Sequence, residues 1–454
     1  MTDKPLNWTS LWHGRRRWLT VGMGIKRWLL ILGFGATLVG IGLAQILFVI
    51  LQLGDLPGWF HSALTLAFLP LWLRMLLPLS MGLLVAIIAL FHLSNTLIAP
   101  FQPADATVAD SLYDYQRRQR GPQIVAIGGG TGMPTLLRGL SEYTSRITAV
   151  VTVADDGGSS GRLRREFGVL PPGDFRNNIA ALSRDEALMT QLLQYRFGGR
   201  LGAEGDRETA SKSGPGNLQG HAFGNLLLAA LVGVTGSFDE ALLAAERVLA
   251  MRGRVLPSTL DQVALVAEVA VTDATTGATV VQRILGESAI PQAGGQIQHI
   301  ALEPANVRAY PPAVQAILQA DLVILGPGSL YTSIIPNLLV PELARALQQT
   351  RAPKLYICNL ATQPGETDNY TVADHVAAIM RHLASGCLDY VLANDNLSLP
   401  PEQGGGHTRF VPLVAPVDAR LITTDLVDND RPWRHDSAKL AAAVMEILST
   451  QRQK

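Results

Sequence analysis

Ile147-Thr-Ala-Val-Val-Thr-Val153 runs without a break into Ala154-Asp-Asp-Gly-Gly-Ser-Ser-Gly-Arg162. The first seven residues are mostly β-branched and predict a buried strand. The next nine hold two carboxylates, three glycines, two hydroxyls and one guanidinium. Glycine lets backbone N–H groups close on an anion, and paired acids can hold ribose hydroxyls or a metal. A strand ending in such a loop places a nucleotide-like ligand at its carboxyl end.

Working outward, the same alternation recurs. Strands are predicted at Ile124–Ile127, Leu322–Leu325, Leu355–Asn359 and Tyr390–Ala393, and helices at Pro134–Leu140, Glu186–Arg196, Leu218–Val232, Glu240–Met251, Tyr331–Gln348, Val372–Leu383 and Ala438–Leu448. This pattern predicts an α/β fold, a mostly parallel Rossmann-like sheet with helices on both faces. Val263–Val271, Thr279–Ile284 and Gln298–Leu302 read as an inserted antiparallel piece. Phe197–Gly216, rich in glycine, serine and charge, reads as a mobile loop.

Upstream of this domain (122–450) the composition changes. Trp28–Leu53 is apolar and uncharged, and a second apolar run spans Leu76–Ile98. Both are long enough to cross a bilayer. Arg15, Arg16, Arg17, Lys26 and Arg27 precede the first, Arg117, Arg118 and Arg120 follow the second, and Arg74 alone lies between. The positive-inside rule predicts a two-helix membrane hairpin over 28–98, with the basic N-terminus (1–27), the linker (99–121) and the domain in the cytoplasm. The 454 residues carry zero formal net charge, which gives no argument for a nucleic-acid partner. Two cysteines, Cys358 and Cys387, make no disulfide framework and suit a reducing compartment. Whether the chain forms a homo-oligomer is left open.

Four segments follow predicted parallel strands: Gly128–Gly132, Asp155–Arg162, Gly326–Ser333 and Asn359–Thr367. In the first, Gly129, Gly130, Thr131 and Gly132 open a helix and suit a phosphate, although a tight turn without ligand reads equally simply. The Rossmann spacing G-x-G-x-x-G fails at Met133, which disfavours NAD. In the second, Asp155 and Asp156 can face Mg²⁺, ribose hydroxyls or a base edge. Gly157 and Gly158 belong to the same ligand-binding set, and Ser159, Ser160 and Gly161 can cradle phosphate. Arg162 can neutralise it, and Arg164 and Arg165 are its neighbours on what is otherwise a basic helix face. Asp174 is a site residue or an N-cap, with Arg176 and Asn177 on the same first turn. His221 and Asn225 open an apolar helix as site or structural groups. Gly326, Gly328, Ser329 and Thr332 close on the ligand, and Tyr331 stacks a base or fills the core. No zinc set, Walker A or G-x-S-x-G pattern is present.

Six blocks together resemble one family: Ile127-Gly-Gly-Gly-Thr-Gly132, Val151–Arg164, Pro171-Pro-Gly-Asp-Phe-Arg-Asn177, Gly220-His-Ala-Phe-Gly-Asn-Leu226, Gly326-Pro-Gly-Ser-Leu-Tyr-Thr-Ser333 and Cys358–Thr367. They are similar to the YvcK family, the gluconeogenesis factors of the CofD-like superfamily. The resemblance covers about residues 122 to 450 and leaves out the membrane hairpin. It implies a Rossmann-like fold, a UDP-sugar ligand such as UDP-N-acetylglucosamine, and a regulatory link from carbon metabolism to cell-wall synthesis and cell shape. Its other branch implies an enzyme that moves a phospholactyl group from a nucleotide-activated donor to a deazaflavin, with Mg²⁺. The Gly157–Arg165 extension resembles the regulatory branch.

Overall fold

Ile124–Gly128 and Leu322–Leu325 bury every residue. Apolar runs this short are read as parallel strands covered on both faces rather than helices. In the computed structural model seven strands join in one sheet. They are β1 (Ile124–Gly128), β2 (Ile147–Val151), β3 (Arg254–Pro257), β7 (Leu322–Leu325), β8 (Lys354–Ile357), β9 (Tyr390–Asn394) and β10 (Arg420–Thr424), in the order β10-β9-β8-β7-β1-β2-β3. Every neighbouring pair is parallel. The structure describes residues 118–198, 218–272, 278–398, 409–416 and 419–452, with scattered positions between 33 and 88. Residues from Arg118 onward form one compact unit.

From β1 the chain builds β2 and β3 to one side, then returns to lay β7 on the other side of β1 and continues outward to β10. The order therefore reverses between β1 and β7. Such a switch point opens a crevice beyond the carboxyl ends of the strands. Ile127 pairs with Leu325 across it, so the loops after β1 and β7 leave the sheet side by side.

The helices are α1 (Met133–Leu140), α2 (Gly158–Phe167), α3 (Gly173–Leu182), α4 (Glu186–Gln194), α5 (Phe223–Thr235), α6 (Phe238–Val248), α7 (Pro311–Leu318), α8 (Ile335–Leu338), α9 (Pro341–Gln349), α10 (Val372–Met380) and α11 (Ser437–Arg452). Between β3 and α7 stands an antiparallel sheet of β4 (Ala264–Thr272), β5 (Thr279–Leu285) and β6 (Gln296–Glu303), ordered β5-β4-β6. This is the antiparallel insertion expected from the sequence.

Several boundaries differ from the sequence reading. β3 was not predicted, because Val255 and Leu256 are its only apolar residues before Pro257. β10 was missed because it is an edge strand with no buried residue. The glycine-rich stretch after Asp156 is a helix, α2, whose Leu163 faces the core while Arg165 stays outside. The helix expected over Tyr331–Gln348 is three pieces: a π turn (Leu330–Ile334), α8 and α9. Pro336 and Pro341 lack the N–H that would continue the ladder. The helix expected from Leu218 begins at Phe223, and α7 was not foreseen.

The hairpin predicted over 28–98 lies mostly outside the described residues, and Phe197–Gly216 beyond Gly198 lies wholly outside them. Among the described residues no single helix is long and apolar enough to cross a membrane. Cys358 and Cys387 are both buried and free.

The C-terminal helix closes the sheet over α1. Ser437 Oγ donates to the Thr135 carbonyl at 2.9 Å. A Cβ at Gly139 would overlap the Ser437 carbonyl oxygen and Ala441. Gly139→Ala is therefore expected to lower stability by about 1–3 kcal/mol. Gly233→Ala on α5, where a Cβ meets nothing within 4 Å, should be neutral or stabilising by up to about 1 kcal/mol. Denaturant titration of the two variants in parallel checks the contrast.

Candidate functional site

All four segments singled out in the sequence emerge at the carboxyl edge of the sheet, after β1, β2, β7 and β8. The first and third touch through main chain. A Cβ on Gly132 would stand 2.8 Å from the Pro327 carbonyl oxygen, and one on Gly328 2.9 Å from that of Gly129. These glycines are required by loop-on-loop contact. The fourth segment braces the third. Asn359 donates to the Gly328 carbonyl at 2.9 Å and accepts from its N–H at 3.3 Å, while Gln363 donates to Ser329 Oγ at 2.9 Å.

Carboxylates tie these loops together. Asp174, from α3, accepts the Gly130 N–H at 2.7 Å. Asp155 accepts the Gly157 N–H at 2.9 Å. Glu366 accepts the Tyr331 N–H at 3.3 Å and the Thr332 hydroxyl at 3.0 Å. Asp156 turns the other way and accepts the Ser288 N–H at 3.0 Å. Part of the amide set expected to cradle phosphate is thus already bonded to the chain's own acids. Asp174 is not the N-cap of α3; Pro172 holds that position.

A buried polar chain links α2, α3 and α5. Ser159 Oγ and His221 Nδ1 are 3.0 Å apart, and Asn225 donates to Ser159 Oγ at 3.1 Å. Arg176 donates to Asn225 Oδ1 at 3.0 Å and to Asn177 Oδ1 at 3.0 Å. His221, Asn225, Ser159, Arg176 and Asn177 are therefore brought together. Arg162 lies on the side of α2 toward Gln219, whose carbonyl accepts from its Nη2 at 3.1 Å; its Nε is buried without a partner among the described residues. Arg164 donates to Gln262 and to the Val263 carbonyl, and ties α2 to the segment leading into β4. Tyr331 is buried, its hydroxyl 2.8 Å from that of Tyr370. Gly158 and Thr131 are exposed.

α4, α6 and α10 are capped by the side chains of Asp185, Ser237 and Thr371. α2, α3 and α5, whose first turns are joined by the polar chain, have no side-chain cap, and neither do α1, α7, α8 and α9. Uncapped N-termini carry outward N–H groups and partial positive charge, which suits an anion.

The acids carry the opposite charge. Burial, then Asp155, raise the Asp174 carboxyl to about 6. Burial raises Asp155 above the usual carboxylate range and Glu366 to about 6. Glu287, from the connection between β5 and β6, is raised furthest, to about 8, by burial and then by Asp155, Asp174, Asp156 and Glu366. Burial lowers Arg176 to about 10, so it stays charged near neutrality.

Mg²⁺ is the cation that the sequence resemblance implies. Asp155 and Asp156 point at different backbone groups, and among the described residues no three His, Cys, Asp or Glu side chains are placed to hold a metal ion together. Mg²⁺ commonly takes only one or two protein carboxylates and completes its shell with water and phosphate, so Asp155 and Asp156 are the groups that would hold it.

Glu287 was not foreseen, because it enters from the antiparallel insertion. Its signal was a carboxylate directly after a glycine at a strand end. Glu366 stood inside the fourth segment, but the sequence did not show that it reaches the third.

Residues 124–451 match the family described as 2-phospho-L-lactate transferase CofD. The chain belongs to the CofD family. Within it, a Bacillus subtilis protein named gluconeogenesis factor is 46% identical over 340 residues, 72% of this chain and 98% of that protein. A Nostoc sp. relative is 44% identical over 443 residues, 95% of this chain and 92% of its own. The crystal structure of a UPF0052-family protein from Bacillus halodurans superposes with a TM-score of 0.62 at 39% identity, covering 71% of this chain and 99% of that one. This CofD-family chain is thus similar in sequence to proteins named gluconeogenesis factors and in fold to a UPF0052-family protein.

The raised Asp174 has a sign that can be measured. Between the unfolded value of 3.8 and the folded value of about 6 the native state holds a proton that the unfolded state has lost, so stability falls as pH rises through that window. Asp174→Asn keeps an acceptor for the Gly130 N–H and removes the buried charge. The variant should exceed the parent by about 1–3 kcal/mol at pH 7, with the gain vanishing near pH 4. Denaturant midpoints measured from pH 4 to 7 check it; a gain that does not depend on pH would refute the charge origin.

Proposed function

We propose that this CofD-family chain is a regulator that binds a nucleotide sugar, UDP-N-acetylglucosamine, at the crevice between β1 and β7. The observation that carries the reading is that uncapped helix N-termini and partly buried carboxylates converge on one switch point. Such a site suits a ligand with an anionic part and a hydroxyl-rich part. N–H groups at the starts of α2 and α5, with the unpartnered Arg162 Nε, would take diphosphate oxygens. Asp155 and its neighbouring acids would accept ribose or sugar hydroxyls.

The names of the relatives support a role in carbon metabolism, and the link to cell-wall synthesis and cell shape belongs to the same proposal. We further propose that 28–98 is a two-helix membrane hairpin holding the domain on the cytoplasmic face. The Nostoc relative aligns over 95% of the chain, so it shares most of this N-terminal region.

The family description favours one other reading, transfer of a phospholactyl-type group from a nucleotide-activated donor. Calorimetry on the full chain in detergent should show binding of UDP-N-acetylglucosamine, with GDP and NAD at least tenfold weaker. Asp155→Ala should cost about tenfold or more, the scale of a hydrogen bond to a charged group. No binding, or unchanged binding in Asp155→Ala, refutes the proposal. A deazaflavin product seen by mass spectrometry after incubation with donor and Mg²⁺ establishes the transferase instead.

A further inference from the structure

We propose that Gly286–Gly294 is a fixed strap across the switch-point crevice, and that Glu287 is its specificity-determining residue, contacting hydroxyl groups on the sugar half of the bound ligand. This deepens the nucleotide-sugar reading and rests on it.

The strap is the connection from β5 to β6, and it is pinned on both sides of the crevice. On one side the Ser288 N–H donates to Asp156 Oδ1 at 3.0 Å, and the Gly286 N–H donates to the Leu265 carbonyl at 2.8 Å. Gly286 has φ +103° and lies so close to Asp156 that a Cβ would overlap its carboxylate. On the other side Gly365, in the loop after β8, packs against the Pro291 carbonyl with no room for a Cβ. Between the two contacts Ile290 is fully buried. A segment anchored at both ends and in its middle is a wall of the site.

Glu287 is the acidic residue of this wall. Its carboxyl is within electrostatic reach of Asp155, Asp174, Asp156 and Glu366, which come from the loops after β2 and β8 and from the start of α3. No group among the described residues donates a hydrogen bond to it, whereas each of those four has a donor. An unpartnered, half-buried carboxyl beside four others destabilises the fold and returns no structural contact.

The chemistry of the ligand group follows from the surroundings. A phosphate next to this many carboxyls is repelled. A sugar hydroxyl is complementary, since it can donate to a carboxylate and accept from a carboxylic acid. Raised to about 8, the Glu287 carboxyl holds its proton at neutral pH and can serve in both directions. Glutamine retains both a donor and an acceptor in that shape, and alanine retains neither.

The test compares UDP-N-acetylglucosamine with UDP by calorimetry on the full chain, for the parent, Glu287→Ala and Glu287→Gln. Thermal unfolding confirms that each variant is folded. Glu287→Ala should weaken UDP-N-acetylglucosamine about tenfold while UDP changes less than twofold, and Glu287→Gln should stay within about threefold of the parent for both. Unchanged sugar-nucleotide affinity in Glu287→Ala, or an equal loss for UDP, overturns the assignment while leaving the nucleotide-sugar reading intact. If the parent binds neither ligand, both fall.

Discussion

The loop architecture depends on carboxylates that bond to the backbone of a neighbouring segment. Asp174 reaches from α3 to Gly130, Asp155 closes on Gly157, Asp156 reaches Ser288, and Glu366 crosses to Tyr331. Glycine-rich turns have little side chain with which to hold their shape, and their N–H groups need acceptors when solvent is excluded. Here three different stretches of chain supply those acceptors. Apart from Asp155, which bonds two residues on in its own loop, these groups are remote in sequence, so the other contacts form only when the sheet has brought the segments together.

That arrangement has an electrostatic cost. Several carboxyls share a half-buried space, with the guanidiniums of Arg176 and Arg164 near Asp155, and burial, with their mutual repulsion, raises their proton affinities. The converging N-termini of α2, α3 and α5 offset part of it, because their partial positive charge is not used by side-chain caps. A structure that keeps several half-buried acids close together in one place is built for something other than stability.

Much of this was legible in the sequence. Ile124–Ile127, Ile147–Val153 and Leu322–Leu325 are short apolar or β-branched runs that read as buried strands, the first and third followed directly by glycine and the second by Ala154-Asp-Asp before Gly157. Fold class and sheet edge follow from that alone. What the sequence left hidden was decided by tertiary contact. β3 holds only two apolar residues, and β10 is an edge strand that never needed a full apolar pattern. α2 looked like a loop because glycine and serine are poor helix formers, and packing of Leu163 overrode the propensity. Asp174 read as either a cap or a site residue; only the fold shows that Pro172 occupies the N-cap position and Asp174 serves another loop. Glu287 was out of reach because it depends on how an antiparallel insertion is set against a parallel sheet.

The contact between the loops after β1 and β7 is made by peptide groups: Gly132 against Pro327, Gly328 against Gly129. A seam of main chain is blind to most changes in side-chain identity. It fixes the spacing of the two halves of the sheet whatever residues stand around it. Drift in ligand preference within such a scaffold would then be confined to the groups that hang over the seam, chiefly those carried by the inserted strands. The crevice can in this way keep its frame while its chemistry is rewritten from the side.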